Sequence, residues 1–143
     1  MKLPGILLLL TLVFNSLAAG QEIKNKPAVD ILVARVRTLS VADGNEVGYG
    51  RDVGKFYTLS KAILSYGTVE DFKEMLKSDS PMVRVMGLVC LSQRTDQREF
   101  EEVKRAQAED KAEVKIGIGC LLYKATVRHI AEELSKNPYF FGS

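Results

Sequence analysis

Apolar positions along most of the chain fall into short stripes at helical spacing, separated by polar turns. Within residues 81–93, Val83, Gly87, Cys90 and Leu91 recur at i, i+4, i+7 and i+8, with Met86 beside them. That spacing puts them on one face of a helix. Ser80 supplies an N-cap, and Pro81 stands at the first helical position, where its missing N–H costs nothing. Gly87 costs about 1 kcal/mol relative to Ala in a helix interior. Its place on the apolar stripe predicts close approach of a second helix. Just upstream, Phe72, Met75 and Leu76 form the stripe of a shorter helix over 69–77. Thr68 and Asp71 open it with the spacing of a capping box. The two helices, joined by a turn at 78–80, read as a helical hairpin.

The same reading extends outward. Residues 28–39 place Val29, Leu32, Val33, Val36 and Leu39 on a helical stripe, while Val29, Ile31 and Val33 also fit a strand. Helix is preferred because the segments downstream are helical in pattern. Residues 40–51 read as a loop around Asp43-Gly44. An Asp52-capped helix over 52–66 aligns Val53, Phe56, Tyr57, Ser60, Ile63 and Leu64, and Gly67 stops it. Asp96 and Glu99 open a helix over 97–107 with Phe100 and Val103 inward. A helix is expected over 111–123, because Gly117, Cys120 and Leu121 sit thirty residues after Gly87, Cys90 and Leu91. Thr126 caps a last helix over 127–136, with Ile130, Ala131 and Leu134 inward, and Asn137-Pro138 ends it. Thr68, Thr95 and Thr126 mark a period of 27–31 residues. Such a period predicts an all-α fold, a short α-solenoid of about six to seven helices in stacked antiparallel hairpins.

Leu76, Asp79, Pro81, Val83-Arg84, Gly87, Cys90 and Leu91 resemble a unit of the HEAT-repeat family, of armadillo type. Val114-Lys115 echoes the Val-Arg pair at an offset of thirty-one residues. The resemblance covers roughly 52–136 and is strongest over 68–93. It implies a stack of helix pairs that serves as a binding scaffold. The contact residues it implies are Arg84 and Lys115, although in the family this basic position often bonds within the scaffold.

Two segments change the picture. Residues 1–20 carry Lys2, the apolar run GILLLLTLVF and the small residues around Ala18-Ala19-Gly20. They read as a signal peptide cut after Ala18 or Gly20. The remainder, 21–143, is expected to be a single helical-repeat domain, secreted or periplasmic. Without Lys2 it holds 19 basic and 18 acidic residues, a net charge of +1 with signs alternating along the chain. No basic block points to nucleic acid. No second apolar run reaches the length of a membrane span.

Candidate chemistry is sparse. Cys90 and Cys120 are the only cysteines of an apparently exported chain. The even count suggests a disulfide, while the spacing of packed helices favours two buried thiols. His129, the only histidine, has Glu132 and Glu133 at i+3 and i+4, with no third ligand and no HExxH. Gly48, Gly50 and Gly54 lack the strand directly before them and the Lys-Ser/Thr pair of a phosphate loop. The aromatic tail Tyr139-Phe140-Phe141 suits either a cap on the last helix layer or a contact with a partner. The expected function is that of an exported, non-catalytic protein–protein interaction module without cofactor or metal. The alternative is an inhibitor or immunity-type protein that neutralises another exported protein.

Overall fold

The computed structural model describes residues 25–143, and the expected signal segment 1–20 lies outside them. The described residues form helices α1 (Lys26–Arg37), α2 (Lys55–Tyr66), α3 (Val69–Met75), α4 (Pro81–Arg94), α5 (Gln97–Ala106) and α6 (Val127–Lys136). Three strands join them: β1 (Ala42–Val47), β2 (Glu113–Gly119) and β3 (Leu121–Thr126). The expected all-α solenoid is therefore corrected to a mixed α/β fold. None of its helices is long and apolar enough to cross a membrane among the described residues.

The hub is α4. Ten of its fourteen residues, Met82 through Ser92 apart from Arg84, are buried. It packs against α1, α2, α3, α5 and α6 and touches β2. The local signals read from sequence hold here. Ser80 Oγ accepts from the Val83 N–H, and Thr68 and Asp71 form a reciprocal capping box on α3. Gly87 is the point of closest approach between α3 and α4. A Cβ there would lie 2.9 Å from the Phe72 carbonyl oxygen and 3.0 Å from Met75 Cβ. Phe56 and Phe72 are fully buried beside α4, and each large apolar side chain removed from water contributes about 2–3 kcal/mol.

The repeat dissolves at 111–126. Val114, Ile116 and Ile118 alternate with Lys115, Gly117 and Gly119. That period of two puts alternate residues on opposite faces of a strand. Two glycines also weaken a helix. Gly119 adopts φ +56°, which suits the two-residue turn that it forms with Cys120 between β2 and β3. The threonine period fails for a related reason. Thr68 and Thr126 are N-caps, but Thr95 closes α4, its hydroxyl donating to the Leu91 carbonyl.

The sheet order is β1-β2-β3, with β1 parallel to β2 and β2 antiparallel to β3. Helices α2 to α5 form the crossover between the parallel neighbours. The sequence of β1, ADGNEV, carries no strand pattern, and tertiary bonds hold it instead. Asp43 Oδ1 accepts the Phe56 N–H at 2.6 Å, so α2 is capped from β1 and not by Asp52. Gly54 N–H donates to Gly44 O at 3.1 Å. Gly54 lacks a Cβ where one would lie 2.6 Å from Asp43 Cγ, so only glycine lets the carboxylate approach the helix end.

Arg84 ties the helical hairpin to the sheet. Its Nε lies 2.7 Å and its Nη2 3.1 Å from the Asp110 carboxylate, and Nη1 donates to the Ser78 and Asp79 carbonyls. Asp110 in turn accepts from Ala112 N–H just before β2. Both side chains are only 15% exposed. Arg84 thus uses its guanidinium for bonds within the scaffold. Breaking such a pair leaves a charge and several acceptors unpaired, so Arg84→Ala should cost about 3 kcal/mol. Gly87→Ala should destabilise by about 1–2 kcal/mol despite its better helix propensity, because α3 backbone must move. Urea titrations followed by circular dichroism measure both, and a stabilised G87A variant would refute the close-approach reading.

Candidate functional site

The two faces of the sheet differ. Ala42, Val114, Ile116 and Ala125 are buried toward the helices. Contacts of α2 with β1, α4 with β2 and α6 with β3 cover that face. The alternate residues Lys115, Leu122 and Lys124 are exposed on the other face.

Two depressions reach residues of this face, the first of them also bordered by Pro81 and Met82 at the start of α4. One, of about 370 Å³, lies where β2 begins and β3 ends and includes Arg37, Ser40, Ser80, Glu113, Lys115 and Lys124. Lys115 and Lys124 stand directly opposite one another across the ladder. Lys124 Nζ is 3.5 Å from a Glu113 carboxylate oxygen, and Arg37 pairs with Asp79 at 2.6 Å. Lys115 makes no ion pair among the described residues. Like charges directly opposite in a sheet repel; Glu113 offsets Lys124, which leaves Lys115 as the cation of this end without an ion pair among the described residues.

The second depression, of about 320 Å³, lies toward the β2–β3 turn. Gly117 and Gly119 form part of it, with Val41, Val47 and Tyr49 toward β1 and Leu121 and Leu122 toward β3. Gly48 N–H donates to Gly119 O at 2.8 Å and holds the β1 loop beside the hairpin turn. Tyr49 is 99%, Leu121 69% and Leu122 67% exposed. The open side thus pairs a cationic end with an apolar end along one short strand.

On the helix side, the Tyr123 phenol is pushed up by burial and, secondarily, by the Glu133 carboxylate. Glu133 itself is held low chiefly by its hydrogen bond from Lys136.

The residues singled out from sequence scatter. Cys90 is buried in α4, while Cys120 is exposed at the β2–β3 turn, and both thiols are free. The expected equivalence of the two positions rested on a helix over 111–123, which is a hairpin. Burial pushes the Cys90 thiol well up. Of the tail, Tyr139 is exposed and Phe140 half-buried, whereas Phe141 is 3% exposed. Its ring lies 5.2 Å from that of Phe56, and its carbonyl accepts the Asn45 N–H. The tail therefore packs Phe141 into the core beside β1 and α2, while Tyr139 stays exposed.

His129 is exposed on α6, with Nδ1 3.6 Å from Glu132 Oε2. No group of three metal-ligating side chains gathers among the described residues. The glycine loop does follow a strand directly, since β1 ends at Val47, contrary to expectation. Yet the Asp43 carboxylate already occupies the start of α2, where a phosphate would sit. The open sheet face has no counterpart in the expected fold, where a helix over 111–123 spans β2 and the start of β3. The alternation from Val114 to Ile118 was the signal that could have found it.

In the native protein a thiol reagent should label Cys120 alone, with Cys90 reacting only on unfolding. Mass measurement before and after denaturation, with C120S as control, checks this, and a native protein with no reactive thiol would contradict it. No protein-family model matches this chain, and no curated protein matches it in sequence.

Proposed function

We propose that this protein is an exported, non-catalytic interaction module that binds a protein partner across the open face of its sheet. The observation that carries this reading is the juxtaposition of Lys115 and Lys124 with exposed Leu122 on one face of the β2–β3 hairpin, with exposed Tyr49 beside the second depression. Stable interfaces combine an apolar centre with charged groups that fix register and partner choice. Clustered apolar side chains at a surface mark interaction sites more than scattered ones do.

The groups with displaced protonation fit the same reading. Asp79, Lys73, Glu101 and Lys136 are held by neighbouring opposite charges at the solvated surface. They do not converge on either depression as a catalytic set would.

The test is a capture experiment with the purified full chain immobilised over exported proteins of the source cell. L122D and K115E variants, checked for native circular dichroism, run beside it. One stoichiometric partner retained by the wild type and lost by both variants is expected. A partner retained equally by all three would move the binding surface elsewhere.

A further inference from the structure

The open face ends at an open edge. Val127 N–H donates to Ala112 O at 2.9 Å, and the antiparallel register runs from Glu113 opposite Thr126 to Ile118 opposite Leu121. Bonded and non-bonded pairs alternate in such a ladder. Val114/Ala125, Ile116/Tyr123 and Ile118/Leu121 therefore exchange backbone bonds, and Leu122 and Lys124 turn their N–H and C=O groups away from β2. Among the described residues no other strand lies beyond β3 and these groups have no partner. The opposite edge differs. On β1 the Asn45 N–H donates to Phe141 O, and the Gly44 carbonyl of the same peptide, pointing the opposite way, accepts from Gly54 N–H, so tail and loop both engage this strand.

We propose that β3 accepts an extended segment of the partner as a fourth, antiparallel strand, with an acidic side chain beside Lys124 and an apolar one beside Leu122. This rests on the open face being the binding surface and specifies how it binds. Main-chain bonds to an exposed edge supply attachment, and alternate side chains supply selection. The residues that would neighbour the added strand on the open side are Lys124, backed by Lys115, and Leu122. The chemistry is therefore an acid and an apolar residue two positions apart. A second copy of the chain fits less well. Self-pairing places Lys124 against Lys124 or over Leu122, leaving the cationic end uncompensated. An edge lysine also discourages indiscriminate strand pairing while admitting an acidic strand.

The probe is a capped peptide, Ser-Glu-Thr-Val-Thr-Ser, against the full chain, followed by amide NMR. One companion peptide has Lys in place of Glu. Another is N-methylated at Val, which removes the amide expected to donate to the Leu122 carbonyl. The acidic peptide should perturb the Leu122 and Lys124 amides and slow their exchange. K124E should weaken it at least about tenfold and reverse the preference between the Glu and Lys peptides. N-methylation should abolish the effect. If the acidic peptide leaves β3 unperturbed, binds no better than the lysine peptide, or tolerates N-methylation, strand addition is overturned. A dimer in sedimentation whose constant changes with K124E would assign the edge to a second copy, also against the proposal. Loss of partner capture by K115E together with any of these failures would leave the interaction reading standing without strand addition.

Discussion

The fold depends on burying α4 on nearly all sides. A helix this apolar is stable only if neighbours cover it completely. One stripe meets α3, where Gly87 allows backbone contact, and the rest meets α1, α2, α5, α6 and β2. Two stacked hairpins cannot wrap a single short helix in this way. The chain therefore surrounds it with helices from both halves and closes one side with a sheet. Arg84, the one residue of the central run that is not buried, uses its guanidinium to bind the turn before α4 to the segment that starts β2.

That arrangement produces the surface argued to be functional. The helices occupy one face of the sheet, and a three-stranded sheet with a single covered face leaves the other to solvent. The sheet's two edges receive different treatment. Phe141 is drawn into the core against Phe56, which lays the tail along β1 and covers that edge. Among the described residues nothing comparable lies along β3. Exposed Leu122 and the facing Lys115 and Lys124 therefore sit next to unpaired backbone groups, the combination that a strand partner would use.

The glycines divide by what requires them. Gly54 and Gly87 are fixed by close approach, the first to the Asp43 carboxylate and the second to α3. Gly119 is fixed by its turn conformation. In the sequence Gly87 and Gly117 looked like equivalent points of one repeat. In three dimensions Gly87 separates two helices, whereas Gly117 lies in a strand under Val41 and Asp43.

Local signals in the sequence were sufficient for most helix starts, though not for α2, which Asp43 caps from β1 in place of Asp52. Ser80, Thr68, Asp96 and Thr126 each cap the helix expected of them, because a side-chain oxygen reaching an amide three residues on is a short-range interaction. Periodicity over ten or more residues likewise marked α1, α4, α5 and α6. The β-hairpin was legible in the alternation of Val114, Ile116 and Ile118, but a thirty-residue coincidence with α4 outweighed it. β1 was not legible at all: ADGNEV has no strand preference, and pairing with β2, the Asp43 cap on α2 and the Phe141 carbonyl hold it extended. The burial of Phe141, the separation of Cys90 from Cys120 and the open edge of β3 belong to the same class. Each depends on which distant segments meet, and only the tertiary structure decides that, because contacts between segments far apart in sequence leave no local pattern in either one.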